Sequence, residues 1–169
     1  MDQDYKTYMK LENQLCFKLY AASRMVTSTY TQFLKPLGLT YTQYIVFLVL
    51  WEKDGITVGQ LCEKLYLDNG TITPIIKKMQ SQGYLERVRS SEDDRIVIIY
   101  LTDEGKKLQE KAKDIPKLMN GCLELSDEKK VQLYDLLQDF LNSNDSKKNR
   151  RQLWKMYMIF MSKIWMETM

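Results

Sequence analysis

The 169-residue sequence contains no histidine. Imidazole general bases, Ser-His-Asp and Cys-His nucleophile systems and most transition-metal sites are excluded with it. Cysteine is scarce: Cys16, Cys62 and Cys122 are far apart and odd in number. They match neither a secreted disulfide framework nor the close pairs of a zinc site, so reduced thiols in a cytoplasmic protein are expected. No stretch approaches the roughly 20 apolar residues of a membrane span. The start Met1-Asp2-Gln3-Asp4 also lacks the basic and then apolar run of a secretory signal. No membrane partner, metal or cofactor is expected. A large excess of one charge is missing too. Lys and Arg total 25 against 22 Asp and Glu, so a nucleic-acid contact has to come from where the charges sit.

What is present is the balance of a folded chain, 44% hydrophobic and 28% charged, with a length that fits one domain plus an appendage. Leu11, Leu15, Leu19, Ala22, Val26 and Phe33 recur at three- and four-residue steps, which predicts an amphipathic helix from Leu11 to about Pro36-Leu37-Gly38. Thr40 with Gln43 has capping-box spacing and opens a strongly apolar, buried helix that ends at Asp54-Gly55. Thr57 with Gln60 repeats the spacing and opens a short helix that closes before Asp68-Asn69-Gly70. In the next helix Ile72, Ile75, Ile76 and Met79 form a complete apolar stripe, with Thr73, Lys77, Gln80 and Ser81 opposite. Pro74 is expected in its first turn, where a missing N–H matters least, and Gly83 at its end. Tyr84 to Arg89 and Ile96 to Leu101 read as a β-hairpin joined by a polar connector. Thr102 and Ser126 cap two further helices, with a kink at Pro116.

Two short helices joined by a tight turn, the second polar on its outside, followed by a charged hairpin, make a helix-turn-helix with a wing. The fold class is therefore mainly α (α+β). The second helix fits a DNA major groove about 12 Å wide, and its N-terminal N–H groups attract phosphate. It offers Asn69, Gly70, Thr71, Thr73, Pro74, Lys77 and Lys78. The hairpin carries Arg87, Arg89 and Arg95, and Asp93 stands where it can brace Arg95 as it enters a minor groove. Taken alone, the hairpin reads equally well as an ordinary solvated one, and the helix pair before it tips the balance.

The run Asp93-Asp94-Arg95-Ile96-Val97-Ile98-Ile99-Tyr100-Leu101-Thr102 resembles the wing signature of MarR-type regulators. Three further blocks resemble the organic-hydroperoxide-resistance branch: Leu11 to Phe17, Leu39 to Tyr44, and Leu65 to Pro74. The resemblance runs from about Lys10 to Leu141. It implies a winged-helix homodimer with interlocking N- and C-terminal dimerisation helices, on a near-palindromic operator of double-stranded DNA with half-sites roughly one helical turn apart. It places Asn69, Gly70, Thr71, Thr73, Pro74 and Lys77 in the major groove and Arg95 in the minor. Family members commonly have Ser at the position of Asn69, which bears on operator preference. The expected division is 1–39 for the N-terminal dimerisation helix and sensing cysteine, 40–102 for the DNA-binding lobe and 103–146 for the C-terminal dimerisation helices. A basic, Met- and Trp-rich tail, 147–169, has no assigned role.

Cys16 and Tyr20 share a helix face, and a phenol can hydrogen-bond a thiolate; Lys18 and Arg24 are near in sequence. From the residues alone Cys16 reads more readily as an inert small hydrophobe, as buried cysteines commonly are. The resemblance makes it the sensor, oxidised to sulfenic acid by an organic hydroperoxide, with Tyr30 and Tyr41 of the neighbouring subunit completing the pocket. It also makes Cys122 a candidate resolving thiol, a low-molecular-weight thiol being the alternative. Cys62 reads as packing. The rivals are a repressor governed by a small aromatic ligand, a thiol peroxidase, and an architectural DNA-binding protein.

Overall fold

The computed structural model describes residues 4–144 and divides the chain into two units between Cys122 and Leu123. In the first unit a short helix α1 (Asp4–Tyr8) leads into a 3-10 turn, Leu11–Asn13. There follow α2 (Leu15–Leu34), α3 (Tyr41–Glu52), β1 (Ile56–Thr57), α4 (Val58–Leu65) and α5 (Asn69–Ser81). Then come β2 (Leu85–Arg89), β3 (Val97–Leu101), α6 (Asp103–Ala112) and α7 (Ile115–Cys122). The second unit contributes α8 (Asp127–Asn144), which carries Leu133, Leu136, Leu137 and Phe140 at helical spacing.

The helix α3 is central to the core because it is apolar all round. Tyr44, Val46, Phe47, Val49 and Leu50 are all buried, and they pack with Leu34, Leu61, Ile72, Ile76, Met79, Leu85 and Ile99. Both predicted capping boxes are present. Thr40 accepts from Gln43 N–H while the Gln43 side chain accepts from Thr40 N–H, and Thr57 and Gln60 do the same. The antiparallel sheet has the order β1-β3-β2. The hairpin is in the expected place, with Leu85 facing Leu101 and Arg89 facing Val97. The two-residue strand β1 is too short to leave a period-2 signal; it pairs Ile56 with Ile99. Asp54 fastens this edge, its Oδ1 accepting from Gly55 N and Leu101 N, both at 2.9 Å.

Three expectations are corrected. The first long helix begins at Leu15 rather than Leu11, because Leu11–Asn13 is a 3-10 turn and Gln14 is extended. Apolar periodicity cannot report such a break when the residues on either side of it stay in phase. Pro74 lies beyond the first turn of α5, since Asp68 caps the helix and Asn69 is its first residue. The Gly70 carbonyl thereby loses its i+4 donor, which the apolar stripe offsets. Ile72, Ile76 and Met79 are each no more than 1% exposed, and a buried side chain of that size contributes about 1.5–3 kcal/mol. Finally, Pro116 is the second residue of a separate helix α7 rather than a kink, because the chain turns at Lys113–Asp114. The tail 147–169 lies outside the described residues.

Candidate DNA interface and redox site

The recognition helix α5 is held at both ends by its own sequence. At its start the Asp68 carboxylate accepts from Thr71 N at 2.9 Å and from Thr71 Oγ1 at 2.8 Å. These two bonds, the backbone one first, hold its carboxyl below the usual range. Gly70 fits here because a methyl group on it would approach Asp68 Oδ1 to 2.9 Å. At its end Gly83, at φ +77°, closes the helix, with Gly83 N donating to Gln80 O and Tyr84 N to Met79 O. The apolar stripe anchors this helix to α3 and α4. Its outer face leaves Asn69, Gly70, Thr71, Pro74, Lys77 and Lys78 exposed, and Thr73 half-buried.

The hydroxyl protons of two expected readers are already committed, Thr71 Oγ1 to Asp68 and Thr73 Oγ1 to Asn69 O at 2.6 Å. They remain available as acceptors. Asn69 Oδ1 accepts from Cys62 Sγ at 3.3 Å, which leaves the Asn69 amide protons free to donate. Cys62 is kept protonated by burial first and then by the charges of Asp68 and Glu63, as its packing role requires.

At the wing, Asp93 braces Arg95 as the spacing suggested. Arg95 Nε donates to Asp93 Oδ1 at 3.0 Å and Nη2 to Oδ2 at 2.9 Å, while Arg95 N also donates to Oδ1 at 3.0 Å. The guanidinium is nonetheless 90% exposed, so the pair aims the arginine without hiding it. Between helix and wing runs a cleft of about 440 Å³ lined by Thr57, Asn69, Thr73, Arg87, Arg95 and Val97. A second cleft, of about 480 Å³, is lined by Gln80, Arg87, Arg89, Asp94, Arg95 and Val97. Arg87 and Arg95 line both. The fold thus gathers Asn69, Thr73, Arg87, Arg89 and Arg95 on one face, although they are scattered through 27 positions of sequence.

The residues expected around the thiol come together only in part. Because α2 starts at Leu15, Cys16 is its second residue, on a first turn whose backbone N–H groups have no partner in the helix and favour negative charge. Cys16 is exposed. Tyr20 follows one turn later on the same face, but no hydrogen bond joins it to the sulfur. Its hydroxyl oxygen accepts from Arg24 Nη1 at 3.0 Å, and the guanidinium also stands over its ring. Arg24 is four residues from Tyr20, a spacing that marks it as part of this column. Tyr30 and Tyr41 do come together, with ring centroids 4.9 Å apart, and Tyr44 joins them 5.7 Å from Tyr30. Burial raises all three phenols above their ordinary values, Tyr44 to about 12. Tyr44 was predicted only as core. Cys122, at the end of α7, is exposed and lies 4.0 Å from Gln32 Nε2. Among the described residues no cluster of three or more carboxylate, cysteine or histidine side chains is placed to hold a metal ion.

A capped recognition helix beside a braced, arginine-bearing wing defines a winged-helix DNA-binding regulator. Residues 28–112 match the family model described as transcriptional regulator SarA/Rot. The organic hydroperoxide resistance transcriptional regulator of Bacillus subtilis is 48% identical over 80% of this chain and 92% of its own length. The HTH-type transcriptional regulator SarZ of Staphylococcus epidermidis is 36% identical over 81% and 93%. Among solved structures, reduced AbfR bound to DNA is similar at 36% identity, with a TM-score of 0.67 over 82% of this chain and 96% of that one. The chain belongs to the MarR-type family of winged-helix transcription regulators, in its organic-hydroperoxide-resistance branch.

Proposed function

We propose that the chain is a cytoplasmic, homodimeric repressor that grips a near-palindromic operator while Cys16 is reduced and releases it when an organic hydroperoxide oxidises that sulfur. The observation that carries this reading is the place of Cys16: exposed, on the first turn of α2, below the Tyr20–Arg24 column. The Bacillus relative's name, organic hydroperoxide resistance regulator, points to the same oxidant, and the reduced AbfR structure to DNA as the partner.

In the reaction the thiolate attacks the O–O bond of the hydroperoxide. An S–O bond forms, the O–O bond breaks, and the leaving alkoxide takes a proton to become an alcohol; sulfur ends as sulfenic acid. A second thiol then condenses with it, releasing water and leaving a disulfide. Cys122 of the other protomer and a small cellular thiol are the two candidates. Each sulfur reacts once, so this is sensing rather than turnover. Leu15, Leu19 and Met25 project bare from α2, an apolar face suited to a second copy. That copy would bring its Tyr30–Tyr41 pair over the sulfur. Because both phenols titrate above their ordinary values, they stay protonated at neutral pH and can donate to a thiolate or sulfenate.

On the DNA, Asn69, Gly70, Thr71, Thr73, Pro74, Lys77 and Lys78 would enter the major groove. Arg95, braced by Asp93, would enter the minor groove, with Arg87 and Arg89 on phosphates. The test is to footprint the reduced protein on its own upstream DNA, add cumene hydroperoxide, and repeat with Cys16→Ser. The variant should keep its footprint at doses that erase that of the unaltered protein. Equal loss in both would remove Cys16 from the mechanism.

A further inference from the structure

Gln43 is the one buried polar side chain among the described residues, at 2% exposure, and both polar atoms of its amide are hydrogen-bonded. Its Oε1 accepts from Thr40 N at 3.0 Å, which fixes which end of the amide is oxygen. Its Nε2 donates to Gln82 Oε1 at 2.8 Å, across 39 positions of sequence. Gln82 is the C-cap residue of the recognition helix. Tyr41, whose ring meets Tyr30, is the first residue of α3, and Tyr44 follows directly after Gln43. One rigid turn of helix therefore carries the tyrosine cluster on its rings and the end of the DNA-reading helix on its amide.

We propose that the Gln43–Gln82 hydrogen bond is the positioning link that makes the recognition helix follow a displacement of the tyrosine cluster when the thiol is oxidised. The proposal rests on the sensing role given above to Cys16, Tyr30 and Tyr41. Capping-box bonds make Thr40 to Gln43 move as a unit, so a shift at Tyr41 carries the Gln43 amide with it. A hydrogen bond is directional and short-ranged, whereas apolar contacts let packed surfaces slide. With the bond, the C-terminal end of α5 is drawn along. Without it, α5 keeps the DNA-competent position set by its own apolar stripe.

Gln82 is the residue to alter, because it is exposed and its removal leaves the α3 capping box whole. The measured quantity is the ratio of operator affinity in the reduced protein to that in the hydroperoxide-treated protein, with Cys16 oxidation followed by mass spectrometry on the same samples. Gln82→Ala should lower this ratio about five-fold, the size of one side-chain hydrogen bond, with Cys16 oxidised to the same extent. Gln82→Glu keeps an acceptor for Gln43 Nε2 and should restore the ratio, whatever its added charge does to both affinities alike. A purely structural role would change the two affinities together and leave the ratio unmoved. An unchanged ratio in Gln82→Ala, in a protein whose unaltered form does respond to hydroperoxide, overturns this link alone. Failure of the unaltered protein to be oxidised at Cys16 or to release DNA overturns the sensing role and the link with it.

Discussion

Gly105→Ala separates the effect of local propensity from that of tertiary packing, because the two predict opposite signs. Gly105 sits in the first turn of α6, and alanine in a helix is favoured over glycine by up to about 1 kcal/mol. Local reasoning therefore expects stabilisation. In the folded chain a methyl group there would lie 2.2 Å from the Tyr84 carbonyl oxygen and 3.0 Å from Leu101 Cδ2. Ordinary contact begins near 3.4 Å, so α6 and the start of β2 would have to part by about 1.2 Å. Two hydrogen bonds cross that junction, Thr102 N to Tyr84 O at 3.1 Å and Thr102 Oγ1 to Gly83 O at 2.6 Å, and a third, Trp51 Nε1 to Gly105 O at 3.0 Å, ties α6 to α3 beside it. Losing even two, at about 0.5–1.5 kcal/mol each, and overpacking a buried site, at about 1–3 kcal/mol, outweighs the helix gain. The net is destabilisation of about 3 kcal/mol, a fall in Tm of about 6–12 °C for a chain of this size. Differential scanning calorimetry at fixed protein concentration measures it, since association makes Tm concentration-dependent. Operator affinity should fall as well, because Tyr84 and Leu101 hold the base of the wing. A Tm equal to or above that of the unaltered protein would refute the close approach at Gly105.

Arg95→Ala should weaken operator binding and flatten the plot of log affinity against log salt by about 0.9, the effect of one positive charge no longer displacing a counterion from the DNA; a parallel plot would take Arg95 off the DNA. For Asp68 the folded pKa is depressed, so its stabilisation is complete above about pH 4 and is lost as pH falls through the folded value. Asp68→Ala should accordingly lower stability at neutral pH and make acid unfolding below pH 4 less steep, read by circular dichroism against pH; an unchanged acid limb would mean that the cap contributes nothing.

The elements that depend on neighbours in sequence were legible without a structure. Capping boxes at Thr40/Gln43 and Thr57/Gln60, the stripe Ile72, Ile76 and Met79, the stop at Gly83 and the hairpin between Leu85 and Leu101 are contained in segments of a few residues, and each forms as read. The Asp93–Arg95 brace belongs with them, being two residues apart. Errors arose where two readings share the same local pattern. An in-phase 3-10 turn at Leu11–Asn13 looks like helix, and a proline at Pro74 looks like a helix start until Asp68 is seen to cap.

Short-range hydrogen bonds and side-chain periodicity are enough to decide the helices, their caps and the hairpin, and the thiols and arginines are read directly from the chain. Which residues meet is settled by how the elements pack. Packing brought Arg87 and Arg95 onto both clefts, one of them shared with Asn69 and Thr73, set Tyr44 against Tyr30, tied Gln43 to Gln82 and left no room for a methyl group at Gly105. These contacts join positions 14 or more residues apart, and they exist only because burying one apolar core leaves a single arrangement of the elements around α3.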